Sequence, residues 1–139
     1  MFKNILVPSD LTDRSHKAME IAAEMAHENQ ALLTVLHVIE TVEEGSSDEF
    51  QAFYRQLGES AGIKMDALIA GHDLKGLVVS KQILYGKRVY EILNFALAHT
   101  VDLIIMSSHK LDPEKAAESW GTISFKVGVL SHCPVMLVK

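Results

Sequence analysis

Residues 101–139 decide the fold, and they read VDLIIMSSHKLDPEKAAESWGTISFKVGVLSHCPVMLVK. An apolar run at 101–106 leads into a polar loop at 107–110, and a second apolar run closes the stretch at 134–138. Between them, Gly121 and Thr122 begin an amphipathic run that ends at His132. This order predicts a strand, a helix and a strand, which together form one crossover unit of a parallel sheet. Because the first turn of a helix has unpaired N–H groups and a partial positive charge, the start of this helix is a candidate anion site.

The rest of the chain repeats the same alternation of apolar runs and amphipathic segments. Strands are predicted at residues 4–8, 31–39, 77–84, 101–106 and 135–138, and helices at 14–29, 48–70, 87–100 and 122–132. The strands are too continuously apolar to have a wet face, so we expect an open, five-stranded parallel α/β sheet with helices on both faces. In such sheets ligands bind beyond the carboxyl ends of the strands. The loops to search are therefore Ser9 and Asp10, the turn after Val38, residues 86–88, and residues 107–110.

Composition excludes several classes of protein. The 139 residues are enough for one domain, 1–139, and the net charge of −5 argues against a nucleic-acid partner. The one cysteine, Cys133, excludes an internal disulfide. No apolar run approaches the roughly 20 residues of a membrane span, and the first residues do not lead into a signal-peptide core. We therefore expect a cytoplasmic protein without a membrane partner.

Four segments carry a family likeness. The chain resembles the universal stress protein family at ILVPSD (5–10), LHV (36–38), DLIIM (102–106) and CPVMLV (133–138), in order and at matching spacing. The resemblance implies a Rossmann-like, adenine nucleotide alpha hydrolase-like sheet in the order 3-2-1-4-5, with a ligand crevice between strands 1 and 4. It also implies a homodimer paired through the last strand, Val135–Val138. Many members of the family bind ATP or AMP.

The resemblance also implies roles for individual residues. Pro8, Ser9 and Asp10 would line the adenosine side of the crevice, and the backbone of Val38 would meet the adenine. Ribose and phosphates would be surrounded by Met106, Ser107, Gly121, Thr122 and Ser124.

The loop after the fourth strand departs from the pattern of the ATP-binding members. Those members carry two glycines three residues apart. Counting forward from the strand puts Ser107 and Lys110 at these positions, and counting back from Gly121 puts Ser108 and Leu111 there, so neither alignment restores a glycine. Such glycines let the backbone approach phosphate closely. There are two alternatives: the backbone cradle is replaced by side-chain donors, or the segment is a polar surface loop. The candidate donors are Ser107, Ser108, His109 and Lys110.

Other residues also allow two interpretations each. Asp10 caps the first helix, meets a ligand, or does both. Lys87 and Arg88 stand at a predicted helix start, where positive charge is unfavourable, so they indicate an anion or simply a solvated surface. His37 lies in a buried strand and is either a satisfied core residue, which is the expectation, or a ligand.

The sequence favours a binding function. It contains no GxxxxGK[ST], GxGxxG, GxSxG or HExxH motif, so no catalytic residue or metal ligand is assigned. The leading interpretation is a homodimeric stress-response domain that binds ATP or AMP, with or without Mg, as a sensor or regulator. The alternative is an interaction module of the same fold that binds no nucleotide and acts on an unidentified protein partner. A nucleotide-hydrolysing enzyme is the least favoured of the three.

Overall fold

The computed structural model describes residues 1–42, 48–108, 113–115 and 122–139. Strands and helices alternate along these residues. The strands are β1 (Asn4–Pro8), β2 (Leu32–Glu40), β3 (Val79–Gly86), β4 (Leu103–Ser107) and β5 (Val135–Val138). The α-helices are α1 (Ser15–Asn29), α2 (Asp48–Ala70), α3 (Arg88–Ala98) and α4 (Ile123–Leu130), and Pro113–Lys115 form a short 3-10 helix.

The five strands form one parallel sheet in the order β3-β2-β1-β4-β5. This confirms the predicted α/β class and the predicted strand order. The central strand β1 pairs with β2 on one side and with β4 on the other, so the winding reverses between β1 and β4. The two edge strands are β3 and β5.

The three central strands β2, β1 and β4 are buried on both faces, because their side chains alternate between two cores, whereas the edge strand β3 is half-buried or exposed along its length. One core joins the sheet to α1 and α2; it contains Ile5, Val7, Leu33, Val35 and Ile105 from the strands, and Met19, Ala22, Met65 and Leu68 from the helices. The other joins the sheet to α3 and α4; it contains Leu6, Leu36, Val38, Ile104 and Met106 from the strands, and Ile92, Phe95 and Val127 from the helices. No helix within the described residues is long and apolar enough to cross a bilayer.

Helix α3 ends two residues before the predicted position. The Val101 N–H donates to the Ala96 carbonyl oxygen at 2.9 Å, and Thr100 has a positive φ of 55°. These residues therefore close the C-terminus of the helix, and β4 begins at Leu103 instead of Val101. At its other end β4 extends to Ser107, one residue further than the apolar run predicts.

Candidate functional site

A cavity of about 320 Å³ opens at the carboxyl ends of β1, β2 and β4, where the winding of the sheet reverses. We call it the crevice. Its lining residues are Pro8, Ser9, Asp10, Arg14, Ser15, Leu36, His37, Val38, Arg88, Ile92, Met106, Ser107, Thr122, Ile123 and Ser124. Its volume lies at the lower end of the range for small-molecule pockets, about 300–1,000 Å³.

Most of the residues proposed from the sequence meet in the crevice. Eight of them line it: Pro8, Ser9, Asp10, Val38, Met106, Ser107, Thr122 and Ser124. Ser108 lies just behind this lining, where its Oγ atom is 3.1 Å from the Ser124 Oγ atom. Lys110 and Gly121 lie outside the described residues.

The loop between β1 and α1 forms one wall of the crevice, and hydrogen bonds within the loop hold it. The Ser9 and Ser15 hydroxyls are 2.6 Å apart, and the Leu11 N–H donates to the Ser9 Oγ atom at 2.9 Å. Leu11 has a φ of 62°, a left-handed conformation that costs a non-glycine residue about 1–3 kcal/mol. The surrounding hydrogen bonds hold the loop in this strained shape.

Asp10 caps the turn that leads into α1. Its Oδ1 atom accepts hydrogen bonds from the Thr12 N–H at 3.0 Å and from the Thr12 hydroxyl at 2.6 Å. Burial alone would raise the pKa of Asp10, but the bonds from Thr12 and Ser15 and the charge of Arg14 together hold that pKa below its usual value. The carboxylate therefore stays ionised and faces the crevice.

The N-terminus of α4 forms the opposite wall. Thr122 is the N-cap residue, and its Oγ1 atom accepts a hydrogen bond from the Phe125 N–H at 3.2 Å. Ser124 is only 7% exposed. Within the described parts of the chain, the N–H groups of Ile123 and Ser124 have no hydrogen-bond acceptor. These two donors and the helix dipole favour an anion at this end of the crevice.

Two arginines in the lining were not among the proposed site residues. Arg14 lies 3.6 Å from Asp10, and the Arg88 Nε atom lies 3.9 Å from the Glu40 Oε2 atom. Each of the two arginines therefore stands beside a carboxylate, Arg14 beside Asp10 of the same lining and Arg88 beside Glu40. The sequence indicated Arg88 as a possible site residue, because a positive charge at a predicted helix start is unfavourable. Nothing in the sequence indicated Arg14.

Hydrogen bonds fix two further groups of the lining. The His37 Nδ1 atom is 2.8 Å from the Ser9 carbonyl oxygen, which can only accept, so Nδ1 carries the proton and Nε2 of the neutral ring is an acceptor. The Ser107 hydroxyl donates to the Arg14 carbonyl oxygen at 2.9 Å. No group of three or more His, Cys, Asp or Glu among the described residues could hold a metal ion.

Comparison with known proteins gives a consistent result. The sequence model of the Universal stress protein family matches residues 1–139. Universal stress protein YxiE of Bacillus subtilis is 33% identical over the full length of both chains. Universal stress protein UspA from Lactobacillus plantarum superposes with a TM-score of 0.79 at 23% identity, covering 99% of this chain and 98% of the other.

Two solved structures with the same fold contain a nucleotide. A universal stress protein in complex with cAMP has a TM-score of 0.70 at 17% identity, covering 99% of this chain and 97% of the other. The universal stress protein from Archaeoglobus fulgidus in complex with dAMP has a TM-score of 0.63 at 17% identity, covering 99% and 98%. The full-length match to the family sequence model, together with the 33% identity to YxiE, shows that the chain belongs to the universal stress protein family.

Proposed function

We propose that this protein binds an adenine nucleotide in the crevice between β1 and β4, and that it acts as a sensor or regulator. The observation that carries the proposal is the start of α4. Two backbone N–H groups without a described acceptor, at Ile123 and Ser124, open there onto a cavity that Arg14 and Arg88 also line. The proposal is for binding and contains no catalytic step.

The apolar part of the crevice lining suits a purine. Pro8, Leu36, Val38, Ile92 and Met106 supply an apolar wall, and the hydroxyls of Ser9 and Ser107 lie in the same lining. An apolar cleft with a few placed polar groups is typical of small-molecule sites. The cAMP and dAMP complexes of two relatives support an adenine monophosphate as ligand.

AMP is the simplest nucleotide that fits this arrangement. Its adenosine would lie against the apolar wall and its phosphate against the first turn of α4. Lys110 and Gly121 are the residues that the family resemblance offers for the further phosphates of ATP, and both lie outside the described residues. A Mg ion would depend on the nucleotide phosphates for its ligands, since the described residues supply no acidic cluster.

Nuclear magnetic resonance can test the location of the site. Addition of AMP to the uniformly ¹⁵N-labelled protein should shift the amide signals of Ser9, Val38 and Ser124. The amide of Gly76, which follows α2 at the opposite end of the sheet, serves as the internal control. Shifts confined to residues outside the crevice would contradict the proposal.

We also propose that the protein is a homodimer paired through β5. This strand is an edge of the sheet, reads Val-Met-Leu-Val and carries no charge, whereas exposed edges usually carry protective charges. Beside it on α4, Val129 and Leu130 are 64% and 62% exposed. Sedimentation velocity should show a dimer at micromolar concentration, and Val129→Glu should convert it to a folded monomer. A wild-type monomer would contradict this part of the proposal.

A further inference from the structure

A second cavity adjoins the crevice on the side of α2. It has a volume of about 220 Å³, and we call it the α2 chamber. Three lining residues, Asp10, His37 and Arg88, are common to the crevice and the chamber. The two cavities are therefore adjacent, and we call these three shared residues the partition between them.

The α2 chamber has the composition of a ligand site. Leu11, Ile39 and Leu57 provide apolar surface, and Ser60 and Lys64 contribute polar groups from the same face of α2. Its volume is smaller than the roughly 300 Å³ at which pockets for complete ligands begin. The chamber therefore suits one part of a ligand whose other part occupies the crevice.

The charged residues that line the chamber are two carboxylates, Asp10 and Glu40, and two cations, Lys64 and Arg88. Asp10 is paired with Arg14 at 3.6 Å, and Arg88 faces Glu40 at 3.9 Å. Lys64 has no hydrogen bond or ion pair among the residues that the structure describes. Its amino group is the uncompensated charge of the chamber, and a phosphate would supply the missing partner.

The partition also supplies a fixed acceptor. Because the His37 Nδ1–H donates to the Ser9 carbonyl oxygen, it is the Nε2 atom that presents a lone pair when the ring is neutral. The side chain lies on the α1 and α2 side of the sheet, as does Val35 two residues earlier in the strand. A hydroxyl or amino group of a ligand that crosses the partition could donate to this atom.

We propose that the protein takes an adenine dinucleotide, with one nucleotide in the crevice and the second, phosphate-bearing half in the α2 chamber against Lys64. This inference rests on the proposed function, because it requires that the crevice itself holds an adenine nucleotide. It goes beyond that function by naming the larger ligand and the residues that select it.

Isothermal titration with AMP and with the linear dinucleotide 5′-phosphoadenylyl-adenosine tests the inference. The wild-type protein should bind the dinucleotide at least about tenfold more tightly than AMP, the ratio expected for one added charge-assisted hydrogen bond. Lys64→Met should remove this advantage and leave the AMP affinity unchanged. Lys75→Met, which removes an exposed lysine outside both cavities, should preserve both affinities.

A second variant tests whether the dinucleotide needs the space of the α2 chamber, whereas Lys64→Met tests whether it needs the charge. Ser60 is exposed on α2, so Ser60→Trp should fill the chamber without disturbing the core. We expect it to weaken dinucleotide binding alone. An unchanged ratio of the two affinities in both variants, with AMP still bound, would overturn the dinucleotide inference only. A wild-type protein that does not bind AMP would overturn the proposed function.

Discussion

Replacing Thr122 by Asp and by Asn isolates the charge at the start of α4. Thr122 accepts the Phe125 N–H at 3.2 Å and is half-buried beside the crevice. Asp and Asn are at least as good N-cap residues as Thr, so both variants should retain the cap. Each should therefore unfold within about 0.5 kcal/mol of the wild-type protein. That is about 2 °C in Tm for a chain of 139 residues.

The two variants should differ in nucleotide affinity. A carboxylate about 4 Å from a phosphate charge is repelled by about 1 kcal/mol in bulk water and by about 4 kcal/mol at an effective dielectric constant of about 20. These limits correspond to an affinity loss of about fivefold to about a thousandfold. Because Thr122 is half-buried, we expect Thr122→Asp to bind AMP at least about tenfold more weakly than Thr122→Asn.

The assay is isothermal titration of both variants with AMP and, as a neutral control, with adenosine. The Asp variant should lose affinity for AMP and retain its affinity for adenosine. If two folded variants bind AMP equally, then the phosphate does not lie at the start of α4 and the reasoning is wrong.

Two further predictions concern stability. A Cβ atom at Gly58 would overlap the Tyr85 hydroxyl. Alanine favours the helix over glycine by up to about 1 kcal/mol, so Gly58→Ala should raise the free energy of unfolding by this amount only when Tyr85→Phe has removed the hydroxyl. Urea unfolding of the two single variants and the double variant measures this coupling, and additive effects would contradict it. Burial and the neighbouring charge of His16, opposed by Glu20, lower the pKa of His72. The folded state therefore binds fewer protons there than the unfolded state, and stability should fall as the pH drops below about 6.5. His72→Gln should weaken this dependence in urea unfolding at several pH values, and the exposed His132→Gln is its control; equal pH dependence in both variants would refute the assignment.

The central strands could be predicted from the sequence because both their faces are buried. A strand covered on both sides must be apolar at every position, so the run at residues 4–8 stands out and its bounds were predicted without error. The bounds of the half-buried edge strand at residues 135–138 were predicted equally well, because its sequence is also apolar throughout. The order of the strands came from the family resemblance, and the structure confirms it. Helix ends were predicted less well, because the end of α3 depends on the backbone conformation of Thr100 and not on an apolar pattern.

The position of the crevice could be predicted from the sequence, whereas the charged residues of its lining could not. The family resemblance implied a crevice between strands 1 and 4 and named Pro8, Asp10 and Met106 for it, and the rule that ligands bind beyond the carboxyl ends of the strands pointed to the same place. Arg14 and Arg88 lie on different helices, and only the packing of those helices brings both into one lining. The α2 chamber could not be foreseen for the same reason, since Lys64 is 54 residues from Asp10 in sequence.

The most direct test of the central claim is isothermal titration of the wild-type protein with AMP and ATP, with and without magnesium. The account predicts that AMP binds at a single site per chain with a Kd in the micromolar range and raises the Tm. The absence of both binding heat and a thermal shift up to millimolar nucleotide would contradict the account. The protein would then be an interaction module of the universal stress protein fold that binds no nucleotide.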